Sequence, residues 1–245
     1  NLFSFSGKYR ILHLTWFAFF MTFVIWLSIG PMMPFIQEAL SLTDQQAKIL
    51  LILNVGLTIP ARIVVGMLVD KFGPKIMFSF ILILGGLISI AFSWMQSYEQ
   101  LAMMRFLSGF IGAGFVVGIR MISEWFPAKQ TGTAQGVYGG WGNFGSAGAM
   151  FTLPFVAASF GDADGWRYAI TIASLIAIAY GIFYYFNVSN TPKGSTYFKP
   201  KKSGAMEVTS FGDLVLYILM NIPLYLVLAL LTWKLSPAKA GLIST

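Results

Sequence analysis

Of the 245 residues, 57% are hydrophobic and only 10% charged, with a formal net charge of +7. A soluble domain carries about 45–50% apolar and about 25% charged residues, so this chain holds more apolar surface than a water-facing fold could cover. The basic residues fall in short clusters between apolar runs and not along one face, which excludes nucleic acid as a partner and points to membrane lipid. Cysteine is absent, so no disulfide framework or thiolate metal site is expected, and no cofactor.

In chain order, six apolar runs each approach the roughly 20 residues that cross a bilayer core. The first, at about 14–35, follows Lys8, Arg10 and the single histidine, His13, which reads as interfacial. "QEALSLTDQQ" leads into a second run at 47–69, and "DKFGPK" into a third at 76–96. The fourth occupies 101–123, the fifth 131–158 and the sixth 167–188. Their connections are short and carry charged or turn-forming residues, so neighbours in sequence should pack antiparallel. A polar, basic linker at 190–210 then precedes a seventh run at 211–233, which Pro223 interrupts. The expected organisation is a six-span bundle at 1–189, the linker at 190–210, and a further hydrophobic helix at 211–245. Because the chain opens on Asn1 and stops just after an apolar run, it is expected to be a piece of a longer protein.

Orientation follows from lysine and arginine. With the N-terminus inside, Lys8, Arg10, Lys71, Lys75, Lys129, Lys193, Lys199, Lys201 and Lys202 lie on the cytoplasmic side, leaving Lys48 and Arg167 outside. The rule that cytoplasmic loops are positive selects this arrangement in a plasma membrane. The outer connections hold Glu38, Asp44, Glu99, Asp162 and Asp164.

Three arginines fall inside predicted spans, where a charge costs at least a few kcal/mol and needs a partner, a cavity or a route to the interface. Arg62 lies eight residues before Asp70. At a helical rise of 1.5 Å per residue, that places it about 12 Å from the inner end, near the midplane. No acidic residue stands three or four positions away. Either a distant helix supplies an ion pair, or Arg62 faces a central cavity and binds an anion. Arg105 opens "RFLSGFIGAGF" and reads as a packing arginine or a substrate contact. Arg120 lies beside Glu124 near the inner end and reads as interfacial wiring.

The fifth run begins as "QTGTAQGVYGGWGNFGSAGAMFTLP". Gly132, Gly136, Gly139, Asn143 and Ser146 follow at steps of four, three, four and three, so they share one helical face. Gly140, Gly142, Gly145 and Gly148 lie on other faces. Such a helix admits close neighbours, sliding backbone or a small ligand, and Asn143 serves as interhelical hydrogen-bonding glue or as a ligand.

Between the second and third runs stands "GMLVDKFGPK". Gly66 permits close approach, Asp70 ends the helix, Gly73 permits the turn, and Lys71 and Lys75 hold the loop inside. The loop is very similar to the signature loop of the major facilitator superfamily, with Pro74 standing where a basic residue is commoner. That resemblance implies that Asp70 helps lock one conformation at an inner gate formed by Gly66, Asp70, Lys71 and Gly73, with Arg120 as its partner. "GGWGNFGSAGAMFTLP" resembles the fifth-span nitrate signature of the nitrate/nitrite porter family within that superfamily. "FSGKYRILHLTWFAFF" and "ARIVVGMLVDKFGPK" resemble its cyanobacterial-type permeases. Together these stretches cover most of residues 3–165.

The resemblance implies an all-α membrane protein, the N-terminal six-helix half of a major facilitator fold, whose C-terminal half is the missing partner. It implies nitrate and nitrite as substrates. Arg62 becomes the anion ligand, and Asn143, Gly139, Gly142 and Gly145 the substrate-proximal positions. The chemistry agrees: both anions are small and planar, and a guanidinium offers a flat, permanently charged fork of donors. Phe23, Trp26 and Phe144 are candidate walls for the anion plane. A facilitator for organic solutes or a non-transporting membrane scaffold are the competing readings. No nucleophile–base set, metal cluster or phosphate loop suggests an enzyme.

Overall fold

The computed structural model describes residues 4–161, 164–193, 195, 197 and 219. The chain divides into units at 1–199 and 200–245, and nearly all described residues fall in the first. The seventh apolar run apart from Leu219, and Lys199, Lys201, Lys202 and Asp162, lie outside the described residues.

Among the described residues all regular structure is helical. The first span joins α1 (Gly7–Leu27) and α2 (Ile29–Ala39), and the second joins α3 (Asp44–Ile52) and α4 (Val55–Phe72). The third is the single helix α5 (Pro74–Ser93). The fourth runs through α6 (Tyr98–Ser108), a 3-10 segment (Gly109–Ala113) and α7 (Gly114–Trp125). The fifth joins α8 (Ala128–Asn143) and α9 (Gly145–Ser159), and the sixth is α10 (Gly165–Asn187).

Five of these six are long and apolar enough to cross a membrane: Gly7–Ala39, Asp44–Phe72, Pro74–Ser93, Tyr98–Trp125 and Gly165–Asn187. The fifth span differs in composition, because its first helix, AKQTGTAQGVYGGWGN, is rich in glycine and polar residues; like the first, second and fourth it is divided, here into helices of 16 and 15 residues. Phe144 between them stays helical, at φ −61 and ψ −15. Its amide donates to the Gly140 carbonyl at 3.2 Å, and the Gly148 amide donates to the Phe144 carbonyl at 2.9 Å. The hydrogen-bond ladder therefore crosses the junction, and the two pieces form one glycine-rich run.

The sequence encodes the ends of these helices. Thr43 and Gln46 form a reciprocal capping box at the start of α3, and the Ser97 side chain accepts from the Gln100 amide at the start of α6. A single residue, Gly73, turns the chain from α4 into α5, with φ at 85°. Only glycine adopts that conformation without steric cost, and Pro74 then opens α5 where its missing N–H is not needed.

Two apolar cores stack along the bundle. One, around Phe19, Phe78, Val117, Tyr138 and Tyr184, fills the end bearing Lys8, Arg10, Lys71 and Lys75, here called the basic end. The other, around Met32, Leu50, Phe92, Leu153 and Trp166, fills the opposite, acidic end. Between them lies a layer of buried polar residues that includes Ser28, Asn54, Thr58, Arg105 and Ser108.

Arg105 explains that layer. It is 2% exposed, and it donates from Nε to the Leu50 carbonyl at 2.9 Å and from Nη1 to the Trp26 carbonyl at 2.9 Å. Further bonds reach the Ser108 hydroxyl at 3.3 Å and the Leu51 carbonyl at 3.4 Å. Three spans have junctions between helical segments here, at Ser28, at Leu53–Asn54 and at the 3-10 segment Gly109–Ala113, with the backbone keeping helical angles at Ser28, Leu53 and Asn54. In hydrocarbon an unsatisfied carbonyl costs several kcal/mol, and this guanidinium satisfies those next to the first two junctions. Of the two readings open in the sequence, the geometry favours the packing arginine.

Arg167 plays a similar part at the acidic end, where the sequence offers only an outer charge. It is 4% exposed, bonds the Ser93 and Met95 carbonyls, pairs with Asp164 at 2.6 Å and lies 4.4 Å from the Trp166 ring centroid. It thereby ties the start of α10 to the end of α5.

Candidate functional site

Arg62 projects from the middle of α4 on the face that also carries Asn54 and Thr58, each one turn apart. Thr58 Oγ1 lies 2.9 Å from both the Asn54 and Gly109 carbonyls, which seats α4 on the 3-10 segment of the fourth span. One turn on, Arg62 Nε donates to the Gly112 carbonyl at 3.2 Å. That is the one hydrogen bond of this guanidinium among the described residues, and its two terminal amino groups make none. Arg62 is exposed, in contrast to Arg105.

Gly112 also admits the first span. A Cβ there would lie 2.8 Å from the Trp26 ring and 2.8 Å from the Thr58 methyl, so α1, α4 and the fourth span meet at this glycine. The Trp26 indole nitrogen and Asn54 Oδ1 are buried and, among the described residues, have no hydrogen-bond partner. From Trp26 an aromatic row follows α1, with Phe23 at 5.5 Å and Phe19 a further 4.8 Å away between ring centroids.

That row meets the fifth span. A Cβ on Gly142 would fall 1.8 Å from the Phe19 ring, and one on Gly145 would fall 2.2 Å from the Phe20 carbonyl. These two glycines are close-approach points against α1. The other face behaves differently: at Gly132, Gly136, Gly139 and Gly140 a Cβ would meet nothing within 4 Å. An open groove of about 570 Å³ runs there beside Thr133, Gly136, Gly140, Trp141 and Phe144. Asn143 stands at the end of α8, exposed, with Nδ2 donating to the Gly139 carbonyl at 2.7 Å. No hydrogen bond joins Asn143 to Arg62. Their surroundings are connected through the aromatic row, which includes Phe23 and Trp26; Phe144 instead lies exposed, 6.3 Å from the Trp141 ring.

The loop at the basic end is equally specific. Gly66 has open space beside it, so the close approach expected there does not occur among the described residues. Lys71 lies 5.3 Å from the Phe72 ring and Lys75 4.4 Å from the Tyr185 ring. Arg120 forms its ion pair with Glu124 at 3.0 Å, one turn along α7, and lies 5.5 Å from the ring of Tyr197. The Tyr197 phenol is raised above its ordinary pKa chiefly by burial; Arg120 opposes this, and Asp70 and Glu124 add to it. Tyr197 therefore sits in the field of Asp70, Arg120 and Glu124 together. Sequence reading passes over it because a tyrosine in a polar linker carries no periodic signal.

Comparison with known proteins bears on the fold and the family. A bacterial homologue of the human lysosomal transporter Spinster superimposes with a TM-score of 0.63 at 20% identity, covering 77% of this chain and 46% of that one. The proton:xylose symporter XylE gives 0.58 at 16% identity, covering 75% of this chain and 45% of that one. At these identities the likeness concerns the fold. In sequence, the nitrate/nitrite transporter NrtP of Nostoc punctiforme is 48% identical, over 98% of this chain and 49% of its own length. NrtP of Picosynechococcus is 45% identical, over 96% of this chain and 48% of its own. The high-affinity nitrate transporter 2.3 of rice is 30% identical, over 90% of this chain and 44% of its own. The chain thus spans about half the length of the curated relatives it matches. The sequence pattern of the Major Facilitator Superfamily matches residues 15–238. The chain is a multi-pass membrane protein and belongs to the major facilitator superfamily.

Proposed function

We propose that this chain is the N-terminal half of a secondary transporter that moves nitrate and nitrite across a bacterial plasma membrane by alternating access, its basic end facing the cytoplasm. The observation that carries the proposal is Arg62. A guanidinium held at mid-span by one bond, with both terminal amino groups making no hydrogen bond among the described residues, is a fork suited to a planar anion. Its charge is uncompensated by any ion pair among the described residues, and an anion supplies that compensation. The Trp26 indole N–H offers a spare donor in the same layer. The relatives named for nitrate and nitrite transport support this anion class.

In this reading the open face of the fifth span lines the route. Gly139 leaves room for the anion, and Asn143 offers its amide after releasing the Gly139 carbonyl. Gly142 and Gly145 contribute indirectly, by letting α1 approach so closely that Phe19 and Phe23 are held beside the route. Gly66, Asp70, Lys71, Gly73 and Arg120 form the inner gate, and the space beside Gly66 is available to the second half of the fold.

The test is binding of nitrate and nitrite to purified full-length protein, normalised to folded protein. Arg62→Lys keeps the charge and loses the fork. Affinity is expected to fall by about 1.5–3 kcal/mol, the range for hydrogen bonds to a charged group, which is about tenfold to more than a hundredfold. Asn143→Ala is expected to weaken binding less. Wild-type affinity in Arg62→Lys would remove this residue from the site.

A further inference from the structure

The segment that follows α10 does not simply leave the bundle. The Trp125 indole at the end of α7 donates to the Ser189 carbonyl at 3.1 Å. Asn190 Oδ1 accepts from the Lys75 amide at 2.8 Å, in the first turn of α5. The same Asn190 amide fills the space where a Gly73 side chain would stand; a Cβ there would lie 2.3 Å from its nitrogen. The Thr191 hydroxyl bonds the Ser195 carbonyl at 3.1 Å and braces the turn. Farther along, the Tyr197 hydroxyl donates to the Val69 carbonyl at 2.8 Å. That carbonyl also accepts from the Gly73 amide at 2.8 Å, so both its lone pairs are used. The Tyr197 ring covers the Arg120 guanidinium, which is itself paired with Glu124.

Ser189, Asn190 and Tyr197 thus touch the ends of α4, α5 and α7, on both sides of the Gly73 turn and next to Asp70. We propose that this stretch is a strap of the inner gate, in which Tyr197 is a positioning residue that holds Arg120 and the last turn of α4 in the arrangement that lets Asp70 close the basic end. This rests on the reading of Asp70 as a gate residue. The strap has two separate anchors. Asn190 fixes the turn through a backbone amide, and Tyr197 fixes the helix end through a carbonyl and the neighbouring cation. The linker between the two halves therefore begins at Tyr197 and not at the end of α10. Weakening either anchor loosens the surface against which the gate shuts, and the basic end opens more often.

The experiment uses the full-length protein in a cysteine-free background, with Gly136→Cys as reporter. Gly136 lies on the open face of α8 and tolerates a side chain. The rate of its modification by an impermeant maleimide, applied from the basic end in inside-out vesicles, measures access. Tyr197→Ala removes the net contribution of a hydrogen bond and a ring contact, so the rate is expected to rise about two- to tenfold. Tyr197→Phe, which keeps the ring over Arg120, is expected to give a smaller rise, as is Asn190→Ala. If Tyr197→Ala does not fold, Tyr197→Phe and Asn190→Ala carry the test. An unchanged or slower rate in folded variants overturns the strap. Nitrate binding is measured on the same preparations. Wild-type protein that fails to bind nitrate while the strap variants still speed modification overturns the transport reading and leaves the strap standing.

Discussion

Replacing Arg105 by lysine gives the sharpest check on the buried polar layer. The guanidinium reaches the Leu50 and Trp26 carbonyls at 2.9 Å each, and makes weaker contacts with the Leu51 carbonyl and the Ser108 hydroxyl. An ammonium gathers its three donors on one nitrogen and cannot reproduce the spread of contacts made from Nε, Nη1 and Nη2. At least two acceptors lose their donor, and a buried group left unsatisfied costs about 1–3 kcal/mol. The bond to Leu50 is fully buried, whereas those to Trp26 and Leu51 are partly buried and open to replacement by water. A loss of about 2–5 kcal/mol is therefore expected, most of it from Leu50. The assay is thermal unfolding of the full-length protein in detergent, read as the monodisperse fraction remaining after heating, beside nitrate affinity of the folded remainder. A marked fall in thermal stability with unchanged affinity is expected. Wild-type stability, or a selective loss of affinity, would refute the assignment of Arg105 to the scaffold.

Two further outcomes follow from the fifth span and from the strap. Gly142→Ala drives a methyl into the Phe19 ring and is expected to reduce the yield of folded protein, whereas Gly136→Ala meets open space and should fold as well as wild type or slightly better, since alanine favours a helix by about 1 kcal/mol; equal yields would refute the division of faces. Because burial raises the Tyr197 phenol above its ordinary pKa of 10.0, its docking is complete below that value and is lost only as pH rises through the raised one. The ratio of modification rates between Tyr197→Phe and wild type should hence be the same at about pH 6 and about pH 8, with Asp70, Arg120 and Glu124 as the charged groups that face the phenol; a ratio that differs would refute this.

The first six spans were legible because hydropathy over about 20 residues is a strong signal, and the described residues are helical at each of them. Arg62 was legible for a related reason: a charge far from either end of an apolar run stands out. The two faces of the fifth span also follow from spacing, since Gly132, Gly136 and Gly139 recur at helical steps and do lie on open space. What the spacing could not supply was the neighbour. That Gly142 and Gly145 receive Phe19 and Phe20 depends on α1 packing there, which no local pattern encodes. The helix junctions at Ser28, at Leu53–Asn54 and at Gly109–Ala113 were equally hidden, as were the clamps of Arg105 and Arg167. Their partners are backbone carbonyls, present at every residue and therefore silent in a sequence. Gly66, read as permitting close approach, has open space beside it among the described residues.

The stacking of two apolar cores across a polar layer has a mechanical consequence. Each core resists deformation by close packing, but the plane between them is held largely by directed bonds, and polar bonds between helices in a membrane average only about 0.6 kcal/mol. A block made of two stiff pieces and a soft seam flexes at the seam. Here the seam coincides with the junctions in three spans and runs beside Arg62, so the residue proposed to bind the anion stands next to the hinge line of its own bundle. Strain generated by charge compensation at Arg62 would then be delivered directly to the most compliant plane of the molecule, where small displacements cost least.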